Sequence, residues 1–365
     1  VTKAACAAVL EVCFNSKQWK LLEEHVVLLA KRRSQLKHAI QAVVRQTMTY
    51  LDATPDKETK VSLIKTLESV TEGKIFVEIE RARLVKKLAQ IKEAEGNIAE
   101  AADLMQEVAV ETFGAMAKAE KVAFILEQVR LCLDKKDYTR AQILSRKISP
   151  KAFVERKGEV AGDIGVEGTA IEAQADDTPS MPELKLKYYE LMIRYNSHDD
   201  NYLEVCRCYR SIYEMEQTQA DPARWATVLK KICWFLVLSP AYSTPGGSSS
   251  DRTTLLTTTL ADKKLSELPV YKGLLQTFVN KEIIRWTQFQ STYAAEVAAQ
   301  PDIFGTVAKR ADDLKLRVVE HNVLVVAQYY TQIRMPRLAA LLALTQEVSP
   351  GSTHASLRAR ARIRD

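Results

Sequence analysis

Residues Val70–Gly96 read VTEGKIFVEIERARLVKKLAQIKEAEG, and the pattern that closes this stretch returns forty residues later. Counted from the glycine, Ile91, Gly96, Asn97, Ile98, Ala101, Leu104 and Val108 overlay Leu131, Lys136, Asp137, Tyr138, Ala141, Leu144 and Ile148. A period of this length accommodates one helix, a tight turn and a second helix, and self-similarity at 20–50 residues marks a solenoid. Within the stretch, Ile75, Ile79, Ala82 and Ala89 fall on one side of a helix, and Val77, Leu84, Leu88 and Ile91 fall nearly opposite. A helix apolar on two sides must be sandwiched, as it is when each helix meets both its hairpin partner and the next repeat.

The same turn recurs along the chain as a polar residue, an aromatic or aliphatic residue, and an apolar residue three further on. Gln18–Trp19–Leu22, Asn97–Ile98–Ala101, Asp137–Tyr138–Ala141 and Asn201–Tyr202–Val205 all fit. The polar residue is placed to cap the incoming helix, the next to wedge into the hairpin, and the last to sit at the close crossing. Helical periodicity also covers 2–14, 18–30, 40–51, 61–70, 184–195, 202–213, 222–238, 265–275, 282–292, 314–332 and 335–344. No long stretch alternates with period two, and six of the 12 glycines lie in 158–168 and 246–247, leaving the rest of the chain poor in turn residues. The fold class is therefore all-α.

Composition narrows the function classes. The net charge of +6 includes +3 from the last eight residues, RARARIRD, so the body is too balanced to announce nucleic acid. The basic run Lys31–Arg32–Arg33 suits a solvated helix terminus. No apolar run approaches the length of a membrane span, and no signal peptide is visible. The six cysteines show no framework spacing and read as reduced, buried thiols of an intracellular protein.

Candidate chemistry is sparse. His198 with Cys206 and Cys208 is the one metal-like group, but two cysteines one residue apart on a helix point about 200° apart. Glu320–His321 lacks the second histidine of a zinc-protease helix. No strand–turn–helix elbow presents a serine, and the tyrosines 188, 189, 202, 209, 213, 329 and 330 lie on apolar helix faces, as core wedges do. The expectation is no enzyme activity, no cofactor and no metal.

Five segments carry a resemblance. VTEGKIFVEIERARL (70–84), FILEQVRLCL with KDY (124–138), LKLKYYELMI (184–193) and KKLSELPVYKGLL (263–275) resemble the PCI-domain, non-ATPase subunits of the proteasome regulatory-particle lid, as does RVVEHNVLVVAQYYTQIRMPRLAALLAL (317–344). The resemblance implies a right-handed superhelical solenoid of TPR-like helix pairs leading into a PCI module, a helical bundle followed by a winged helix. It also implies a non-catalytic scaffold in cytoplasm and nucleus. The implied partners are other lid subunits through their PCI modules, the lid deubiquitinase, the ATPase ring and the core-particle outer ring, with no nucleic acid and no membrane. Scaffolds of the signalosome and of translation initiation share the architecture and are the alternative, followed by a nucleic-acid-binding helical repeat.

The expected organisation is a helical-repeat solenoid over 1–156, an acidic flexible loop over 157–182, and further repeats over 183–258 with a flexible 240–251. A partial PCI module over 259–348 and a disordered Arg-rich tail over 349–365 complete it. The chain starts at Val1 rather than methionine. The break at Ser349–Ser352 stands where the family continues into a wing and terminal helix, so the winged helix is expected to be incomplete through truncation, fragmentation or a mispredicted terminus. The candidate protein-interaction segment is Val318, Val319, Val323, Val326, Tyr329, Tyr330, Arg337 and Leu341, which together carry more apolar surface than one short helix buries. The competing reading is that most of them are internal core.

Overall fold

A computed structural model describes residues 2–31, 36–153, 171–241, 249–305, 309–330, 332–334 and 337–338. These residues are helical with short connections, and none forms a strand. The chain divides into two compact units, Val1–Leu191 and Met192–Asp365.

The first unit contains α1 (Thr2–Asn15), α2 (Trp19–Lys31), α3 (Lys37–Tyr50), α4 (Lys57–Thr71), α5 (Glu78–Ala94), α6 (Ile98–Gln106), α7 (Lys118–Asp134), α8 (Tyr138–Arg146) and most of α9 (Met181–His198). Helix α1 packs on α2 and α3, α2 on α3 and α4, α4 on α5, α5 on α6, α6 on α7, and α7 on α8. This is the sandwich that two apolar stripes require. In α5, Ile79, Ala82, Leu84, Leu88 and Ala89 are all buried. Ile75 departs from the expected stripe and is 82% exposed, because residues 75–77 form a 3₁₀ turn before the α-helix begins, which rotates that side chain outward.

The repeated turn has a backbone cause that its polar residues concealed. Lys17, Gly96, Lys136 and Asp200 have φ of 52°, 84°, 65° and 52°, and each directly precedes one of the four turns. A left-handed residue there closes a Schellman motif. The Asn97 N–H donates to the Lys92 carbonyl at 3.0 Å, Asp137 to Cys132 at 2.8 Å, Gln18 to Cys13 at 3.1 Å and Asn201 to Asn196 at 3.0 Å. Glycine suits this conformation best, yet Gly96 alone of the four uses it. Side-chain capping, expected at all four, is made by Asp137, which accepts from the Arg140 N–H at 3.1 Å, and is absent at Asn97 and Asn201. The residue three positions on from each turn, Leu22, Ala101, Ala141 or Val205, is 0% exposed.

Charged ties supplement this apolar packing. Arg130 on α7 donates to both oxygens of Glu93 on α5 at 2.6 and 2.7 Å, to Glu127 at 2.5 Å and to Asp134 at 2.9 Å. Lys187 on α9 reaches Glu127 at 2.8 Å. Arg83 on α5 holds Glu120 on α7 through two parallel bonds of 2.7 and 2.8 Å.

The second unit contains α10 (Tyr202–Tyr213), α11 (Glu216–Ala220), α12 (Pro222–Leu238), α13 (Ser249–Leu260), α14 (Pro269–Val279), α15 (Trp286–Ala298) and α16 (Lys309–Tyr329). It gathers around α12, which meets α10, α11, α13, α14 and α16. Consecutive residues from Ile232 to Leu238 are all buried; at 100° per residue that run covers the whole circumference. Helix α12 starts sharply because Asp221 accepts from the Ala223 N–H at 2.9 Å and Pro222 occupies the first turn.

Two expectations change here. Helix α13 was not foreseen, since its sequence TTLLTTTL is rich in threonine, a weak helix former. It forms because Leu256 is buried in the unit's core. The helix expected over 265–275 is split into a 3₁₀ turn at Lys263–Glu267 and α14, which begins at Pro269.

Candidate protein-interaction surfaces

Helix α16 carries most of the segment singled out in the sequence, and its position is fixed by polar anchors. Asn322, 2% exposed, accepts from the Ile284 N–H at 2.7 Å and donates to the Ile284 carbonyl at 2.8 Å, pinning the turn before α15. Arg310 donates to the Ile303 carbonyl at 3.1 Å, with its guanidinium 5.7 Å above the Phe235 ring. The Tyr202 hydroxyl donates to Asp313 at 2.5 Å; burial and that bond hold the phenol above its ordinary value.

Thus anchored, α16 turns its valines inward. Val318 joins the main core of the second unit. Val319 and Val326 form a separate small cluster with Leu338, against which Val323 and Ile333 pack. Tyr329, Tyr330 and Arg337 remain exposed, at 71% and 42% for the two tyrosines. Leu341 lies outside the described residues, as do the break at 349–352 and the Arg-rich tail. The structure therefore brings together Val319, Val323 and Val326, assigns Val318 to the core beneath them, and leaves the tyrosine pair and Arg337 as outward-facing groups.

A second surface, in the first unit, went unnoticed in the sequence. Gln41 and Arg45 lie four residues apart on one face of α3, and Arg83 and Lys86 three apart on α5, so each pair projects from one side of its helix. Residues 171–180, non-helical, cross these four side chains. Glu172 accepts from Arg45 at 2.6 Å and from Gln41 at 3.3 Å, and its N–H donates to the Ala115 carbonyl at 2.9 Å. The Ala173 carbonyl accepts from Arg83 at 3.0 Å, and Asp177 from Lys86 at 2.8 Å. The Lys86 hydrogen bond holds the Asp177 carboxyl below its ordinary range. A cavity of about 530 Å³, lined by Phe76, Ile79, Glu80, Ala115 and Glu172 among others, opens beside the first of these contacts.

This part of the segment expected to be flexible is tied down at named atoms. Residues 154–170 lie outside the described residues. The cations that receive it were hidden because their partners are separated by up to 127 positions in sequence.

All six cysteines are buried thiols. Burial pushes Cys132 up to about 11 and Cys206 and Cys208 up to about 12, so these three stay protonated and weakly nucleophilic at neutral pH. Among the described residues, no group of three or more His, Cys, Asp or Glu side chains is placed to hold a metal ion, and no helix is long and apolar enough to cross a membrane.

Residues 1–161 and 169–221 match the family described as PSMD12/CSN4, N-terminal, and residues 287–353 match the PCI domain. The chain is 54% identical over 353 residues to the Arabidopsis thaliana 26S proteasome non-ATPase regulatory subunit 12 homolog A, covering 95% of this chain and 77% of the relative. It is 38% identical over 348 residues to the Dictyostelium discoideum 26S proteasome non-ATPase regulatory subunit 12, covering 95% and 71%. To the Saccharomyces cerevisiae 26S proteasome regulatory subunit RPN5 it is 37% identical over 349 residues, covering 94% and 72%.

Proposed function

The chain belongs to the family of 26S proteasome non-ATPase regulatory subunit 12, and from that membership we propose that it is a non-catalytic scaffold subunit of the regulatory-particle lid. The observation that carries the reading is identity of 54% over 353 residues to a relative of that name. The fold suits the role. Helices stacked in sequence fix surfaces at set spacings without building an enclosed catalytic pocket. The C-terminal PCI match, with the exposed Tyr329 at the end of α16 and Tyr330 just beyond it, supports a face for neighbouring PCI modules on the second unit. The partners in this reading are other lid subunits, the lid deubiquitinase, the ATPase ring and the outer ring of the core particle. Its place of work is the cytoplasm and nucleus, where the complex degrades ubiquitin-tagged proteins.

The N-terminal family description names CSN4 beside PSMD12, which keeps a signalosome scaffold as the second reading. Relatives matching over most of their own length carry the proteasome name, and they favour the first.

Re-expression in cells depleted of their own subunit 12 tests the proposal. The chain is expected to restore degradation of a ubiquitin-tagged reporter to at least half its normal rate. Expression at the normal level with no restored degradation would contradict it.

A further inference from the structure

We propose that the cleft formed by Gln41, Arg45, Arg83 and Lys86 is a recognition groove for an extended acidic peptide of a partner protein, occupied here by the chain's own residues 172–177. The inference does not depend on the lid assignment.

The seated segment defines what the groove reads. A carboxylate at the first position is taken by Arg45 and Gln41 at 2.6 and 3.3 Å. The next residue offers its main-chain carbonyl to Arg83 at 3.0 Å. A second carboxylate, five residues after the first, meets Lys86 at 2.8 Å. The first residue's N–H bonds to the Ala115 carbonyl at 2.9 Å, which fixes the direction of the peptide. This combines charge recognition with main-chain recognition, as extended peptides are commonly bound.

The groove is built independently of its occupant. Arg45 is held from beneath by Glu80, 2% exposed, at 2.5 Å, and Arg83 by Glu120 through its two bonds. The guanidinium groups would therefore keep their places if the segment left. Glu172 and Asp177 are attached from the solvent side, with side chains 29% and 65% exposed. Contacts of that kind contribute roughly 1.4- to 5-fold each, so three of them together hold the segment by only about 3- to 125-fold. The internal peptide is exchangeable, and a partner's acidic segment competes with it for the same atoms.

The test uses the full chain and a fluorescent peptide of residues 171–180, IEAQADDTPS. In the variant E172Q/D177N the internal segment is released, and the peptide is expected to bind roughly tenfold or more tightly than to the unsubstituted chain at low salt. Binding should be lost in 0.5 M NaCl and should weaken several-fold when K86Q is added. Exchange of the Glu172 amide should accelerate in E172Q/D177N. K86Q alone, which touches neither buried glutamate, should raise the same exchange rate and guards against a folding defect in the double variant. Three results would each overturn the proposal: equal binding by the unsubstituted chain and E172Q/D177N, no binding by either, or equal binding of a scrambled peptide of the same composition.

Discussion

Replacing Trp234 with alanine should cost the second unit about 3–5 kcal/mol, the range for deleting a buried tryptophan or phenylalanine. Trp234 is 0% exposed in the C-terminal half of α12, the helix that α10, α13, α14 and α16 all pack against. Its indole meets Tyr271 edge-on at 6.2 Å and Phe304 edge-on at 5.1 Å, so truncation removes transfer energy, two aromatic contacts and the packing of the cavity walls together. Hydrogen exchange at amides of α10, α12 and α14 as urea is raised measures the loss. Protection of α4 to α8 should be unchanged. A cost under 1 kcal/mol would mean that α12 is not the packed axis of the unit.

The second large effect is electrostatic. Arg130→Met should destabilise the first unit by roughly 2–3 kcal/mol, somewhat less than breaking a fully buried pair, because the Arg130 side chain is 23% exposed. Methionine preserves most of the stem, so the loss reports the charge. It leaves Glu93, Glu127 and Asp134 facing one another, with Lys187 still on Glu127. The effect carries a pH signature. Burial alone would raise the Glu127 carboxyl, but donation from Arg130 and Lys187 outweighs it and holds the group below its ordinary 4.5. A carboxylate with a lowered folded-state pKa contributes stability that is present above its unfolded value and is lost as pH falls through the folded one. The gap between the unsubstituted chain and R130M should therefore be widest near neutral pH and shrink below about pH 4, once carboxylates protonate. Urea titrations at pH 7 and pH 3.5 measure it, and an equal gap at both would show that packing, not charge, is what Arg130 supplies.

The contrast between these two sites explains what was legible in the sequence. Apolar periodicity over 75–94 located α5 because a repeated local environment writes a repeated local pattern. The turns were legible as well, though for an incomplete reason. The polar residues marked their positions, while the physical requirement was a left-handed residue at Lys17, Gly96, Lys136 and Asp200, which lysine does not advertise. Helix α13 stayed hidden because threonine-rich sequence argues against helix, and tertiary burial of Leu256 overrides that preference.

The candidate surface was legible only in part. The apolar content of α16 announces more surface than one short helix buries, but periodicity cannot say which residues face the main core. Val318 and Val319 are neighbours in sequence and lie in different clusters. The groove formed by Arg45 and Arg83 could not be read at all. Its parts come from α3, α5 and a distant acidic segment, and single charged residues on a helix look the same whether solvated or paired.

The proposed scaffolding and peptide recognition need only that helices hold surfaces still. The most direct measurement is affinity capture of the tagged chain from its own cells at physiological salt, with every recovered protein quantified by mass spectrometry. Proteasome lid and ATPase subunits are expected at close to one copy each per copy of this chain, with ATP-dependent degradation recovered in the same fraction. Recovery of the chain alone, or with a signalosome in place of the proteasome, would contradict it.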